Sequence, residues 1–174
     1  MKGEAMSDQP SDKTTRSPRR KKKTSANLLP YETATSGKNA VAEMEKVLRT
    51  FGATSFGCME NYDTGEIIVQ FAWRDRNVSI RASGKGWAAL YLRRHPWSYS
   101  MRTTKPDYEK KWLAQGKIAV YSMLRDWIKG QITAVECGLL SFEGAFLGQV
   151  MLPSGETVLE RITHTDMLAL PKPN

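Results

Sequence analysis

The chain has 174 residues and a formal net charge of +8, from 26 Lys and Arg against 18 Asp and Glu. That length suits one domain plus a tail. No apolar run reaches the roughly 18–20 residues of a membrane-spanning helix, and the Ser-, Lys- and Asp-rich start has no apolar segment typical of a secretory signal. Two cysteines, Cys58 and Cys137, exclude a disulfide scaffold and read as buried, apolar-like residues of a reducing interior. The expected setting is the cytoplasm, with no membrane partner.

Charge is segregated along the chain. Residues 1–29 carry eight Lys and Arg against Glu4, Asp8 and Asp12, a net of +5. Residues 74–111 carry ten against Asp75, Asp107 and Glu109, a net of +7, and the remaining stretches are mildly acidic. The first stretch has too few large apolar residues to offset chain entropy, so 1–29 is predicted to be a disordered basic tail. Within it the run Arg19, Arg20, Lys21, Lys22 and Lys23 suits polyphosphates, which such clusters hold by counterion release. The competing reading is a solubilising tail with no partner. Leu28, Leu29, Pro30 and Tyr31 then anchor the chain to a single α+β domain over 30–170.

Ser36 as N-cap, with Ala40, Val41, Met44, Val47, Leu48 and Phe51 at helical spacing and Gly52 as stop, predicts a helix over 38–51. Strands are expected at 53–62, 66–74 and 78–83. The second alternates Ile67, Val69, Phe71 and Trp73 against Ile68, Gln70, Ala72 and Arg74, giving an antiparallel meander with one buried and one wet face. Residues 83–106 show no clean period and read as a long connection. A long helix is expected over 107–129, with Gly130 as a possible end. A second helical piece over 133–140 opens on Thr133 and Glu136 at capping-box spacing. Ser141 caps a short helix through Phe142 and Phe146, and an amphipathic piece covers 157–163.

No catalytic set is specific. Gly84-Lys85-Gly86 lacks phosphate-loop spacing, His95 and His164 lack zinc spacing, and no cofactor motif is present. Glu60, Asp63 and Glu66 could gather a magnesium ion for a metal-dependent nuclease, or form an ordinary solvated turn. The stronger constellation is cationic and aromatic. It comprises Arg74, Arg76 and Arg81 on the hairpin, then Lys85, Trp87, Tyr91, Arg93, Arg94, Trp97, Tyr99, Arg102 and Lys105, extended by Lys110 and Lys111. Cations neutralise phosphates while rings stack on bases, the combination that holds single-stranded nucleic acid. DNA or RNA is therefore the expected partner of a non-enzymatic binder. The alternative is an adaptor or host-takeover factor whose basic loop meets an acidic protein surface. The bland reading places Trp87, Leu90, Tyr91 and Trp97 in the core with the arginines as a solvated rim.

The run Leu48 to Gly57, the hairpin from Phe71 to Ile80, and the stretches from Trp112 through Ala134-Val135-Glu136-Cys137-Gly138 carry a resemblance. It continues in Ser141-Phe142-Glu143, Phe146-Leu147, Met151-Leu152-Pro153-Ser154-Gly155 and Thr157-Val158. Over about 31–160 the chain resembles an uncharacterised family of small phage and prophage proteins. The resemblance implies a phage setting among DNA-metabolism genes, hence the bacterial host cytoplasm, and supplies no functional residue. In element order, the chain is also similar to double-stranded-RNA-binding domains and to the core of single-strand annealing proteins, an analogy that does not fix function.

Overall fold

In the computed structural model, which describes residues 28–165, the Ser36 hydroxyl accepts a hydrogen bond from the Asn39 backbone N–H (3.2 Å). That cap opens helix α1, Gly37–Phe51, which buries Ala40, Met44 and Leu48 on one face. Gly52 ends it in left-handed backbone (φ 95°), where a side chain would be strained.

Three antiparallel strands follow, β1 (Ser55–Asn61), β2 (Glu66–Trp73) and β3 (Arg76–Ser83), ordered β1-β2-β3 in one sheet. Cys58 pairs with Val69, and Val69 with Ile80. Period-two alternation therefore places Phe56, Cys58, Ile67, Val69, Phe71, Val78 and Ile80 on one face, towards the helices. The fold is α+β, with the expected meander.

Residues 83–106 depart from the sequence expectation. Ser83 accepts a hydrogen bond from the Lys85 N–H (3.3 Å) and starts helix α2, Gly84–Arg94. Gly84, Trp87, Ala88 and Tyr91 are its buried residues, at the three- and four-residue spacing of one helix face. Glycines at Gly84 and Gly86 weaken the intrinsic helix signal, so packing has to supply the stability.

The two pieces expected at 107–129 and 133–140 are one helix, α3, Lys105–Glu136. Its 32 residues span about 48 Å. Gly130 does not end it, because Ile128 and Ile132 are both buried on either side, and their burial outweighs the roughly 1 kcal/mol glycine penalty. Thr133 is no cap; its hydroxyl donates to the Lys129 carbonyl inside the helix (2.8 Å). The chain turns at Gly138 (φ 71°). Ser141 then caps α4, Phe142–Phe146, and a Thr157–Glu160 capping box opens α5, Val158–His164.

Two cores result, joined by α3. Met44 and Leu48 of α1, Ile67, Val69, Phe71 and Val78 of the sheet, Leu124, Ile128 and Ile132 of α3, and Phe142 and Phe146 of α4 form the first. Leu29, Trp87, Tyr91, Tyr108 and Ala119 form the second, between α2 and the N-terminal half of α3. The outer sheet face is not wholly wet as expected. Ser79 is buried there and Gln70 Nε2 meets Met151 Sδ (3.9 Å), while Val150 bridges to Val78 and Met151 donates its N–H to the Asn77 carbonyl (2.7 Å) along the edge of β3.

Candidate nucleic-acid interface

Helices α2 and α3 lie side by side and antiparallel, held by aromatic rings. Tyr91 stacks on Trp112 with centroids 3.5 Å apart and on Trp87 at 5.7 Å. Burial pushes the Tyr91 hydroxyl up to about 12. At the distal end, the Tyr108 hydroxyl donates to the His95 carbonyl (2.9 Å). The connecting loop, residues 95–104, is tied across itself: Trp97 Nε1 donates to the Thr103 carbonyl (2.8 Å), and the Met101 N–H to the Ser98 carbonyl (3.0 Å). Thr104 caps α3 through the Asp107 N–H (3.3 Å), with Pro106 in the first turn where no N–H is needed.

This end of the hairpin gathers charge. Arg93 and Arg94 close α2, Arg102 lies in the loop and Lys105 begins α3, all exposed. Among the described residues Arg93, Arg94 and Arg102 form no ion pair. Lys105 meets Glu109 at 3.9 Å, with both side chains at least half exposed (65% and 50%), a pair of little energetic weight. Arg93 and Arg94 also suit the negative end of the α2 dipole. Between them in the chain, Tyr99 is 95% exposed. Its ring sits edgewise to Trp97 (4.7 Å, 68°).

Most of the other predicted contacts lie apart from this cluster. Trp87 is a correction: it is buried, its Nε1 donates to the Pro30 carbonyl (2.9 Å), and no base can reach its ring. Lys85 is exposed but sits at the opposite end of α2. Lys111 lies over the Trp112 ring (5.4 Å), and Lys110 is about 200° round α3 from Tyr108, on the side away from α2.

The hairpin arginines divide further. Arg74 (φ 52°) stacks over Trp73 (4.2 Å), and Arg76 meets Asp75 at 3.9 Å. Trp73 in turn stacks on Phe142 (4.5 Å), which places this turn beside the C-terminal end of α3. Arg81 points from the other sheet face and meets Glu160 at 3.6 Å. An odd separation of five residues along β3 puts Arg76 and Arg81 on opposite faces, so one surface cannot hold both. The run Arg19 to Lys23 lies outside the described residues.

The acidic cluster does not assemble. Glu60 is in an ion pair with Lys117 and points to the helix face, whereas Glu66 lies on the outer face and accepts from the Thr64 hydroxyl (3.2 Å). The Asn61 side chain instead caps the Asp63 and Thr64 N–H groups (3.0 and 3.2 Å), an ordinary turn. Among the described residues no three His, Cys, Asp or Glu side chains are grouped to hold a metal. Nor are the cysteines buried as expected: Cys137 is exposed after α3 and Cys58 is half-buried.

Sequence reasoning set Trp87, Trp97 and Tyr99 in one constellation, and its bland reading placed Trp87 and Trp97, but not Tyr99, in the core. The signal that separates them is the helical spacing of Gly84, Trp87, Ala88 and Tyr91 behind a serine cap. Helix α2, standing between β3 and α3, also departs from the element order of the two fold analogies. Among the described residues no helix is long and apolar enough to cross a membrane. No family model, curated protein or solved structure matches the chain.

Proposed function

We propose that this protein binds nucleic acid, without a catalytic step of its own, through the loop end of the α2–α3 hairpin. The observation that carries the reading is the set Arg93, Arg94 and Arg102, exposed and free of ion pairs among the described residues, at the same end of the hairpin as the exposed ring of Tyr99. Unpaired guanidinium groups are ready to exchange their counterions for phosphates. The Arg19–Lys23 run adds a second cationic element on the same chain, and the resemblance to phage proteins suits a DNA-metabolism setting.

A mobility-shift titration at about 50 and 200 mM salt tests this. Three or four phosphate contacts on a single strand would weaken binding about 20- to 50-fold across that range. Changing Arg93, Arg94 and Arg102 together to Ala lowers the affinity and flattens that salt dependence. Unchanged retention by the triple variant would overturn the proposed surface. Indifference of the wild type to oligonucleotides, with capture of an acidic protein instead, would favour an adaptor. Degradation of the probe only with added magnesium would return the nuclease.

A further inference from the structure

We infer that the nucleic acid held at the loop end of the α2–α3 hairpin is single-stranded, with an unpaired base stacked on Tyr99. This deepens the nucleic-acid reading above and rests on it. Among the described large hydrophobic side chains, Tyr99 is the most exposed, at 95%. Its position is nonetheless fixed. The loop carrying it is tied by Trp97 Nε1 to the Thr103 carbonyl (2.8 Å), by the Met101 N–H to the Ser98 carbonyl (3.0 Å) and by Tyr108 to the His95 carbonyl (2.9 Å). Trp97 meets the Tyr99 ring edge to face at 4.7 Å and so supports it while leaving the rest of its surface to solvent.

A second tyrosine, Tyr62, is 89% exposed and makes a useful contrast. It stands in the β1–β2 turn next to Asp63, whereas Tyr99 stands in the loop flanked along the chain by Arg93, Arg94, Arg102 and Lys105. Of these two open rings, Tyr99 has the larger set of neighbouring cations in the chain, whereas the Tyr62 turn is approached by one, Lys85, beside Gly65. In a duplex the base faces are covered by their neighbours, so the ring would gain nothing there. On a single strand every base has a free face, and stacking is tolerant of sequence. The features used, base face and phosphate, are shared by DNA and RNA, so both single strands bind.

Fluorescence anisotropy on the full chain, with labelled oligo(dT), oligo(U) and a blunt mixed-sequence duplex of about 15 nucleotides, separates the outcomes. Wild type prefers either single strand to the duplex. Tyr99→Ala weakens single-strand binding roughly 5- to 150-fold and leaves duplex binding in place, while Tyr99→Phe recovers most of the loss. Tyr62→Ala changes neither. Equal binding of duplex and single strand by wild type, or an equal loss on both in Tyr99→Ala, would overturn the inference while leaving the nucleic-acid reading standing. Absence of binding to all three probes at low salt would overturn both.

Discussion

Gly84 and Gly116 meet backbone to backbone where α2 crosses α3. A β-carbon on Gly116 would lie 2.5 Å from the Gly84 carbonyl oxygen, and one on Gly84 would lie 2.7 Å from the Lys117 nitrogen. Neither obstacle is a side chain that can swing aside. Gly130, in the same helix, has nothing within 4 Å of such a carbon. Gly116→Ala therefore costs roughly 1–3 kcal/mol despite better helix propensity, whereas Gly130→Ala stabilises by about 0.5–1 kcal/mol. Urea melts of the two variants should shift in opposite directions.

Trp87 is a packing residue. Trp87→Ala should cost about 3–5 kcal/mol, since the ring is buried against Tyr91. Trp87→Phe keeps a ring but leaves the Pro30 carbonyl without its donor, at about 1 kcal/mol. Under conditions where the Phe variant is folded, oligonucleotide binding should match wild type. Tyr99→Ala should show the converse, a change in stability within about 0.5 kcal/mol and a loss of binding.

Alkaline stability depends on two tyrosines. Burial raises Tyr121 and Tyr91 from 10.0 to about 12, with Cys58 and Glu60 adding to the rise at Tyr121 and Glu32 at Tyr91. The folded state thus keeps a proton that the unfolded state has released. Their stabilising contribution is complete below pH 10.0 and is lost as the pH climbs towards 12. Thermal melts between about pH 9 and 11 should fall less steeply for Tyr121→Phe than for wild type. Parallel slopes would contradict the assignment.

On the acid side Glu160 acts in the opposite sense. The Thr157 backbone N–H (2.7 Å) holds its carboxyl below the usual range, helped by the Thr157 side chain. The stability it adds is present above its unfolded value and lost as the pH falls through the lowered folded one. Glu160→Ala should cost about 1 kcal/mol near neutrality, and the difference from wild type should shrink in acid.

The two thiols should report their surroundings. Cys137 is exposed, while Cys58 is half-buried and its thiol is raised by burial. A thiol reagent near neutral pH should modify Cys137 first and Cys58 slowly until the protein is unfolded. Cys137→Ser should abolish the fast phase. Equal rates would show that the sheet does not shield Cys58.

Much of the fold was legible locally. Ser36 and Gly52 bound α1, Ser141 caps α4 and Thr157 opens α5, each by a hydrogen bond or a backbone angle within a few residues. The strands alternate with a period the chain displays openly. Where the reading went astray, at 83–106 and at 130–133, local propensity pointed against the final structure and packing overrode it. Glycines concealed α2 and suggested a break in α3, although Tyr91 on Trp112 and the burial of Ile128 and Ile132 hold both helices.

Length, the net charge of +8 and its concentration in two stretches are properties of the sequence alone, as are the caps and the meander, because each depends on near neighbours. Which cations stand together was decided only in three dimensions. The +7 stretch of residues 74–111 divides because β3 turns Arg76 and Arg81 to opposite faces. Helix α2 carries Arg93 and Arg94 to the far end of α3 and turns Trp87 inward. Tyr99, an aromatic of the same basic stretch as Trp87, is left in water because the loop that bears it is tied off beyond the last turn of α2.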